Sequence, residues 1–260
     1  MKACFFALLL FGLFLVSCSS NEADNFVAND CVLVEKETLL YPKNIVHFSQ
    51  DFYLAIKYEE PIAGFLDTLS LLNVNQLSAD LPSENIQLAF WINIYNSLVQ
   101  SKLLNDEKSF GNQEQFFKNK DLVIGGCKIS LDEIEHGIIR GVDSNNDLVN
   151  KFKLNRLECR IHFTMNCGAS SCPAIAYYKP ETLEEDLNAA EQVFVKANSS
   201  YDSLSNVLLT SELFNWFQTD FNGEKGVLEL MRSHGVISDK TTPVLKYEPY
   251  NWELKSKNYQ

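Results

Sequence analysis

Apolar and polar positions alternate along the chain in several distinct patterns, and each predicts a different element. From Glu84 to about Leu104 apolar residues point in most directions, without Gly or Pro, directly behind Pro82-Ser83. That pattern predicts a long helix capped by Ser83 and buried at the centre of the fold. Asn93, Asn96 and Gln100 fall on it at i, i+3 and i+7, so their amides share one stripe, and buried amides need partners. Further on, Leu122-Val123-Ile124 and Cys127-Lys128-Ile129 flank Gly125-Gly126. Two glycines tolerate the positive φ values of a tight turn, which predicts a hairpin over Asp121 to Ile129.

A second helix is expected at once, because Ser130 and Glu133 form an S-x-x-E capping box and Gly141 suits a left-handed C-terminal cap. On it Leu131, Ile134 and Ile138 form an apolar face, while Glu133, His136 and Arg140 share the opposite one at i, i+3 and i+7. Cys159 to Asn166 alternates as a strand does, with Ile161, Phe163 and Met165 on one side and His162, Thr164 and Asn166 on the other. Thr182 with Glu185 predicts the cap of another helix running to Ala197, and short helices are expected near Glu212 to Asp220 and Val227 to His234. Val244 to Tyr250 reads as extended. Helix outweighs strand, so the fold class is α+β: a helix-rich single domain with a small antiparallel sheet around a central buried helix at about 84–104.

With 46% hydrophobic and 12% aromatic residues in 260, the chain has ample material for a core. A net charge of -12 with no Lys/Arg cluster argues against nucleic acid as a partner. The first residues have an export-signal plan: Lys2, an apolar run from Phe5 to Val16 too short to span a bilayer comfortably, then Leu15-Val16-Ser17-Cys18. That ending resembles the bacterial lipobox, which implies removal of 1–17 and lipidation of Cys18. Residues 18–38 are then lipidated cysteine and polar tether, and 39–260 the globular domain. The expected partners are a membrane, reached through the N-terminal lipid, and an envelope ligand; Ser19 and Ser20 favour the outer membrane. Once Cys4 is lost and Cys18 acylated, Cys31, Cys127, Cys159, Cys167 and Cys172 remain. An odd set leaves at least one thiol without a partner in the chain.

Three stretches, in order, carry a family resemblance: Phe90-Trp91-Ile92-Asn93-Ile94-Tyr95-Asn96, then Ser130 to Gly141, then Arg160-Ile161-His162-Phe163-Thr164-Met165-Asn166-Cys167-Gly168 continuing to Pro173. Together they resemble the family known as domain of unknown function 547, with weaker echoes at Trp216 to Phe221 and Tyr250 to Leu254. The resemblance runs from about Leu81 to the C-terminus, with its core at about 81–221. Cys159 departs from it, standing where the pattern Asp-Pro-Arg-Ile-His-Phe would have its Asp-Pro. The resemblance implies a shared fold and no known reaction.

Candidate chemistry gathers in the same stretches. Cys167 ends the expected strand beside Gly168, a setting that can present a thiol with backbone N–H groups as oxyanion donors. His136 or His162 could lower its pKa, and Glu133 could hold the His136 imidazole. This gives a Cys167-His136-Glu133 hydrolase or acyl transferase, with Asn93, Asn96, Arg140 and His162 toward substrate. The competing reading is a non-catalytic envelope binding or scaffold module whose loop is stapled by a Cys167–Cys172 disulfide. A redox role is weaker because the spacing is C-x4-C. His162, Cys167 and Cys172 could offer zinc three ligands, but no second close pair accompanies them, so neither metal nor cofactor is expected. No P-loop, dinucleotide fingerprint, H-E-x-x-H or G-x-S-x-G occurs. The mechanism requires the three stretches to meet on one cleft.

Overall fold

A computed structural model describes Cys31 and residues 41–259. The export signal, Cys18 and the tether apart from Cys31 lie outside the described residues. The helices in chain order are α1 (Ile45–Lys57), α2 (Ala63–Ser70), α3 (Val74–Asp80), α4 (Glu84–Asn105), α5 (Gln113–Lys118), α6 (Asp147–Phe152), α7 (Leu183–Ala197), α8 (Leu213–Trp216) and α9 (Gly223–Ser233). The strands are β1 (Leu122–Ile124), β2 (Cys127–Ile129), β3 (Ser199–Asp202), β4 (Val207–Ser211) and β5 (Val244–Glu248). The class is α+β, in one helix-rich domain.

α4 is the axis. Ser83 Oγ accepts from the Ile86 N–H at its start, and every residue from Leu88 to Ser101 is buried. Its amide stripe grips segments that have no regular partner. Asn93 donates to the Tyr178 carbonyl at 2.9 Å and to Ser49 Oγ at 3.1 Å, and accepts from the Tyr178 N–H at 2.7 Å. Asn96 donates to the Thr164 carbonyl at 2.9 Å and accepts from the Asn166 N–H at 2.8 Å. Gln100 accepts from the Lys257 N–H at 3.0 Å. A side-chain amide offers the same donor and acceptor as a peptide group, so it satisfies buried loop backbone as a neighbouring strand would.

The hairpin β1–β2 forms as expected, antiparallel with Ile124 opposite Cys127, and Gly125 and Gly126 take φ of 58° and 75°. A Cys31–Cys127 disulfide ties the tether side of the chain to β2. The Ser130–Glu133 box also forms: Glu133 Oε2 accepts from the Ser130 N–H at 3.1 Å and Ser130 Oγ from the Glu133 N–H at 3.1 Å. The box opens a π-helix, Glu133–Ile139, closed by Arg140 N–H to the Glu135 carbonyl five residues back. This helix ends at Gly141, φ 72°, where a Cβ would lie 2.3 Å from the Leu154 carbonyl oxygen.

Some sequence expectations change. Cys159–Phe163 is a 3-10 helix, not a strand, with Glu158 accepting from the Arg160 N–H. Its apolar residues do not share a side: Ile161 and Met165 join the core around α4, whereas Phe163 joins a second core with Phe194, Phe214 and Phe221. Alternation here records two cores flanking one short segment. Thr182 caps no backbone group; its hydroxyl goes to Asp186 at 2.7 Å. The second core is covered by a sheet not anticipated as such, with β3 antiparallel and β5 parallel to β4.

The amide stripe generates a stability prediction. Asn96→Ala strands a buried carbonyl and a buried N–H, each costing about 1–3 kcal/mol, so urea unfolding should report a loss of about 2–5 kcal/mol with an unchanged slope.

Candidate functional site

The site lies where the π-helix, the 3-10 helix Cys159–Phe163 and the 3-10 turn Gln218–Phe221 converge. Asp220 is its electrostatic centre. Arg140 binds its carboxylate through two bonds, Nε to Oδ2 at 2.8 Å and Nη2 to Oδ1 at 3.0 Å, and His162 Nε2 meets Oδ2 at 2.8 Å. Phe217 packs against both partners, 4.0 Å from the His162 ring at 22° and 4.9 Å from the Arg140 guanidinium. Burial would push the Asp220 carboxyl up, but hydrogen bonds from His162 and Arg140, with the charge of Arg140, override it and hold the group well below the ordinary carboxylate range.

His136 extends this network to the surface. Arg140 Nη1 lies 2.8 Å from His136 Nδ1. A guanidinium N–H can only donate, so Nδ1 accepts and a neutral His136 carries its proton on Nε2, 3.7 Å from Asp132 Oδ1. The π-turn brings Glu135 beside it, and Tyr95 Oη donates to Glu135 Oε2 at 2.6 Å. Burial first, then the Glu135 charge, raises the Tyr95 phenol well above its ordinary value, so it stays a donor.

Tyr95, Asp132, Glu135, His136 and His162 line a half-open cleft of about 420 Å³, which falls within the usual range of about 300–1,000 Å³ for small-molecule sites. Trp216, Phe217, Tyr250 and Trp252 give it an aromatic wall, and Cys167 also reaches it. Cys167 is bonded to Cys172, and Tyr250 Oη lies 3.3 and 3.1 Å from the two sulfurs. The stapled loop pairs with the C-terminal segment: Ser170 N–H to the Glu253 carbonyl at 2.8 Å, Ser171 N–H to Asn251 at 3.2 Å, and Lys255 N–H to Gly168 at 2.7 Å. That pairing sets Tyr250 and Trp252 in the wall.

Of the residues singled out from sequence, His136, His162 and Cys167 share the cleft, with Arg140 directly behind them. Asn93 and Asn96 do not reach it; both are fully buried and spent on loop backbone, so they orient loops and not a substrate. Glu133 does not hold His136. The wide π-turn breaks the i, i+7 face, and Glu133 instead caps Ser130 and pairs with Lys120 at 3.0 Å. Among the described residues His136 hydrogen-bonds to Arg140 and not to a sulfur. Cys167, held in the disulfide, has no thiol to offer as nucleophile in this form. Among the described residues Cys159 is the free cysteine, half-buried, its thiol pushed up to about 11 by burial and then by Glu158 and Glu191. No group of three His, Cys, Asp or Glu suited to a metal occurs among the described residues, and no helix among them is long and apolar enough to cross a membrane.

Sequence reasoning missed Asp220, Tyr95, Asp132, Glu135 and the aromatic wall. The signal for Asp220 and the wall was present in the weaker echoes at Trp216 to Phe221 and Tyr250 to Leu254, which contain the residues but carry no spacing that reveals chemistry.

Fold and site define an α+β domain with an aromatic-walled cleft built on a π-helix. Residues 79–195 match the family model described as Protein of unknown function, DUF547, and over this stretch the chain is similar to that family. The match includes His136, Arg140, His162 and Cys167; Asp220 and the aromatic wall lie beyond it. No curated protein matches the chain, and no solved structure does.

Removing Asp220 leaves Arg140 and His162 without their shared anion. Asp220→Asn should lower stability at pH 7 by about 3 kcal/mol, the lower end for breaking such a pair because Arg140 keeps 18% of its side chain exposed. The folded pKa is depressed, so this stabilisation is complete above the unfolded value near 3.9 and fades as pH falls through the folded one. Urea titrations from pH 7 to 2 should show the gap between native protein and variant constant while Asp220 is ionised in both states, then closing below about pH 4.

Proposed function

We propose that this protein is a lipid-anchored lipoprotein of the bacterial envelope, outer membrane in location, whose domain binds a small envelope ligand in the aromatic-walled cleft. The Cys167–Cys172 bridge then serves as a staple and not as chemistry. One observation carries this reading: the sulfur that reaches the cleft, on Cys167, is bonded to Cys172, within a loop whose backbone docks the segment bearing Tyr250 and Trp252. A disulfide suits an oxidising compartment, as does the Cys31–Cys127 pair. The Leu15-Val16-Ser17-Cys18 ending supports the anchor, since two or three acyl chains hold a protein stably at a bilayer. A second reading, a cysteine hydrolase or acyl transferase, is favoured by Cys167 and His136 lining one cleft. It requires the bridge to be reduced first.

Two measurements test the proposal. Expressed in a bacterium with a palmitate analogue, the native protein should take up label and sediment with outer membranes, while Cys18→Ser should do neither; label on the variant would remove the anchor. Under native conditions without reductant, a maleimide probe should leave Cys167 and Cys172 unmodified and react slowly at Cys159, whose raised pKa keeps thiolate scarce. Rapid modification confined to Cys167 would favour the enzyme.

A further inference from the structure

The aromatic wall has a geometry that selects among ligands. Trp216 and Trp252 are 46% and 36% exposed, unusually open for indoles. Their rings incline by 29° with centroids 5.9 Å apart, and Tyr250 sits 4.9 Å from each. Rings in mutual contact make a platform. A cage for an ammonium group would need them held apart around a central space. A platform suits a flat partner whose edge is polar and whose face is weakly apolar.

Carboxylates in the same lining supply acceptors. Glu135 takes the Tyr95 hydroxyl on Oε2, and Asp132 has His136 Nε2 at 3.7 Å. Among the described residues this leaves carboxylate oxygens of both able to accept further hydrogen bonds. Because Tyr95 and Arg140 fix Glu135 and His136 in place, these acceptors and donors are set before any ligand arrives. Glu114 and Lys118 complete the charged lining, so carboxylates outnumber cations and an acidic ligand is disfavoured.

Resting on the reading of this cleft as a ligand site, we infer that its ligand is a neutral oligosaccharide. One sugar ring stacks on the Trp216 and Trp252 platform, where its axial C–H bonds meet the negative face of the indoles. Its hydroxyls donate to Asp132 and Glu135 and accept from His136 Nε2. Vicinal hydroxyls provide several donors on one edge, which matches two fixed carboxylates better than a peptide or an isolated amine does. The cleft of about 420 Å³, open along one side, lets a chain of sugars continue into solvent.

Tryptophan fluorescence of the disulfide-intact protein, titrated separately with cellotriose, maltotriose and tri-N-acetylchitotriose, tests the inference. At least one sugar should give a saturable change. Trp216→Ala and Trp252→Ala should each weaken it about fivefold to tenfold, the scale of one lost aromatic contact, and Glu135→Gln should weaken it comparably. Trp216→Phe, which keeps an aromatic face and guards against misfolding, should retain most of the affinity. Flat titrations with all three sugars on folded protein overturn the inference, as does sugar binding unaffected by Trp216→Ala. Benzyltrimethylammonium is the discriminating probe: saturation by it while the sugars stay silent overturns the carbohydrate assignment and leaves the cleft a ligand site.

Discussion

The structure depends on three amides buried along one stripe of α4. A helix buried on every side must be covered everywhere, and much of its cover here is irregular chain whose N–H and C=O groups have no ladder to join. Asn93, Asn96 and Gln100 provide that ladder from the side, at Tyr178, at Thr164 with Asn166, and at Lys257. Leaving any one of these backbone groups unpaired in the interior would cost more than most single contacts contribute, so each loop has one seat. The middle seat bears most directly on the cleft, because His162 and Cys167 flank the two gripped residues, and the Lys257 seat lies just beyond the segment that carries Trp252.

A second constraint is the charge on Asp220. It joins the turn at Gln218–Phe221 to the π-helix through Arg140 and to the 3-10 helix through His162, and so bridges the two hydrophobic cores where they meet. Phe217 packs over the histidine and the guanidinium, and keeping water from them strengthens both contacts to Asp220. His136 receives its orientation at the end of this chain, through Arg140 and not through the glutamate one turn before it.

What could be read from sequence divides along the range of the forces involved. α4, the Gly125-Gly126 hairpin and the Ser130–Glu133 box were legible because cap, turn and period lie within a few residues. The odd cysteine count foretold an unpaired thiol but could not choose Cys159, since pairing Cys31 with Cys127 depends on a separation of 96 residues. The segment Cys159–Phe163 imitated a strand because Ile161 and Phe163 answer to different cores. Asn93 and Asn96 were rightly expected to need partners, yet whether a buried amide faces a ligand or a loop is a property of the loop. The π-turn is the least legible feature: widening the helix redirected Glu133 and turned Glu135 toward the cleft, and no residue pattern announces that extra residue.

These constraints give the Cys167–Cys172 bridge its meaning. Closing a short loop does little to the unfolded chain, and its effect is local. The bridge shapes the 167–172 backbone so that Ser170, Ser171 and Gly168 present their polar groups to Asn251, Glu253 and Lys255, and Tyr250 closes over both sulfurs. α4 fixes one end of that loop through Asn166, and the loop in turn fixes the C-terminal segment. The aromatic wall is therefore aligned against Glu135 and His136 by a relay that begins at a buried amide and passes through a disulfide. Every one of these attachments is made within the protein, so the fold itself sets the aromatic wall and the Glu135 and His136 groups relative to one another.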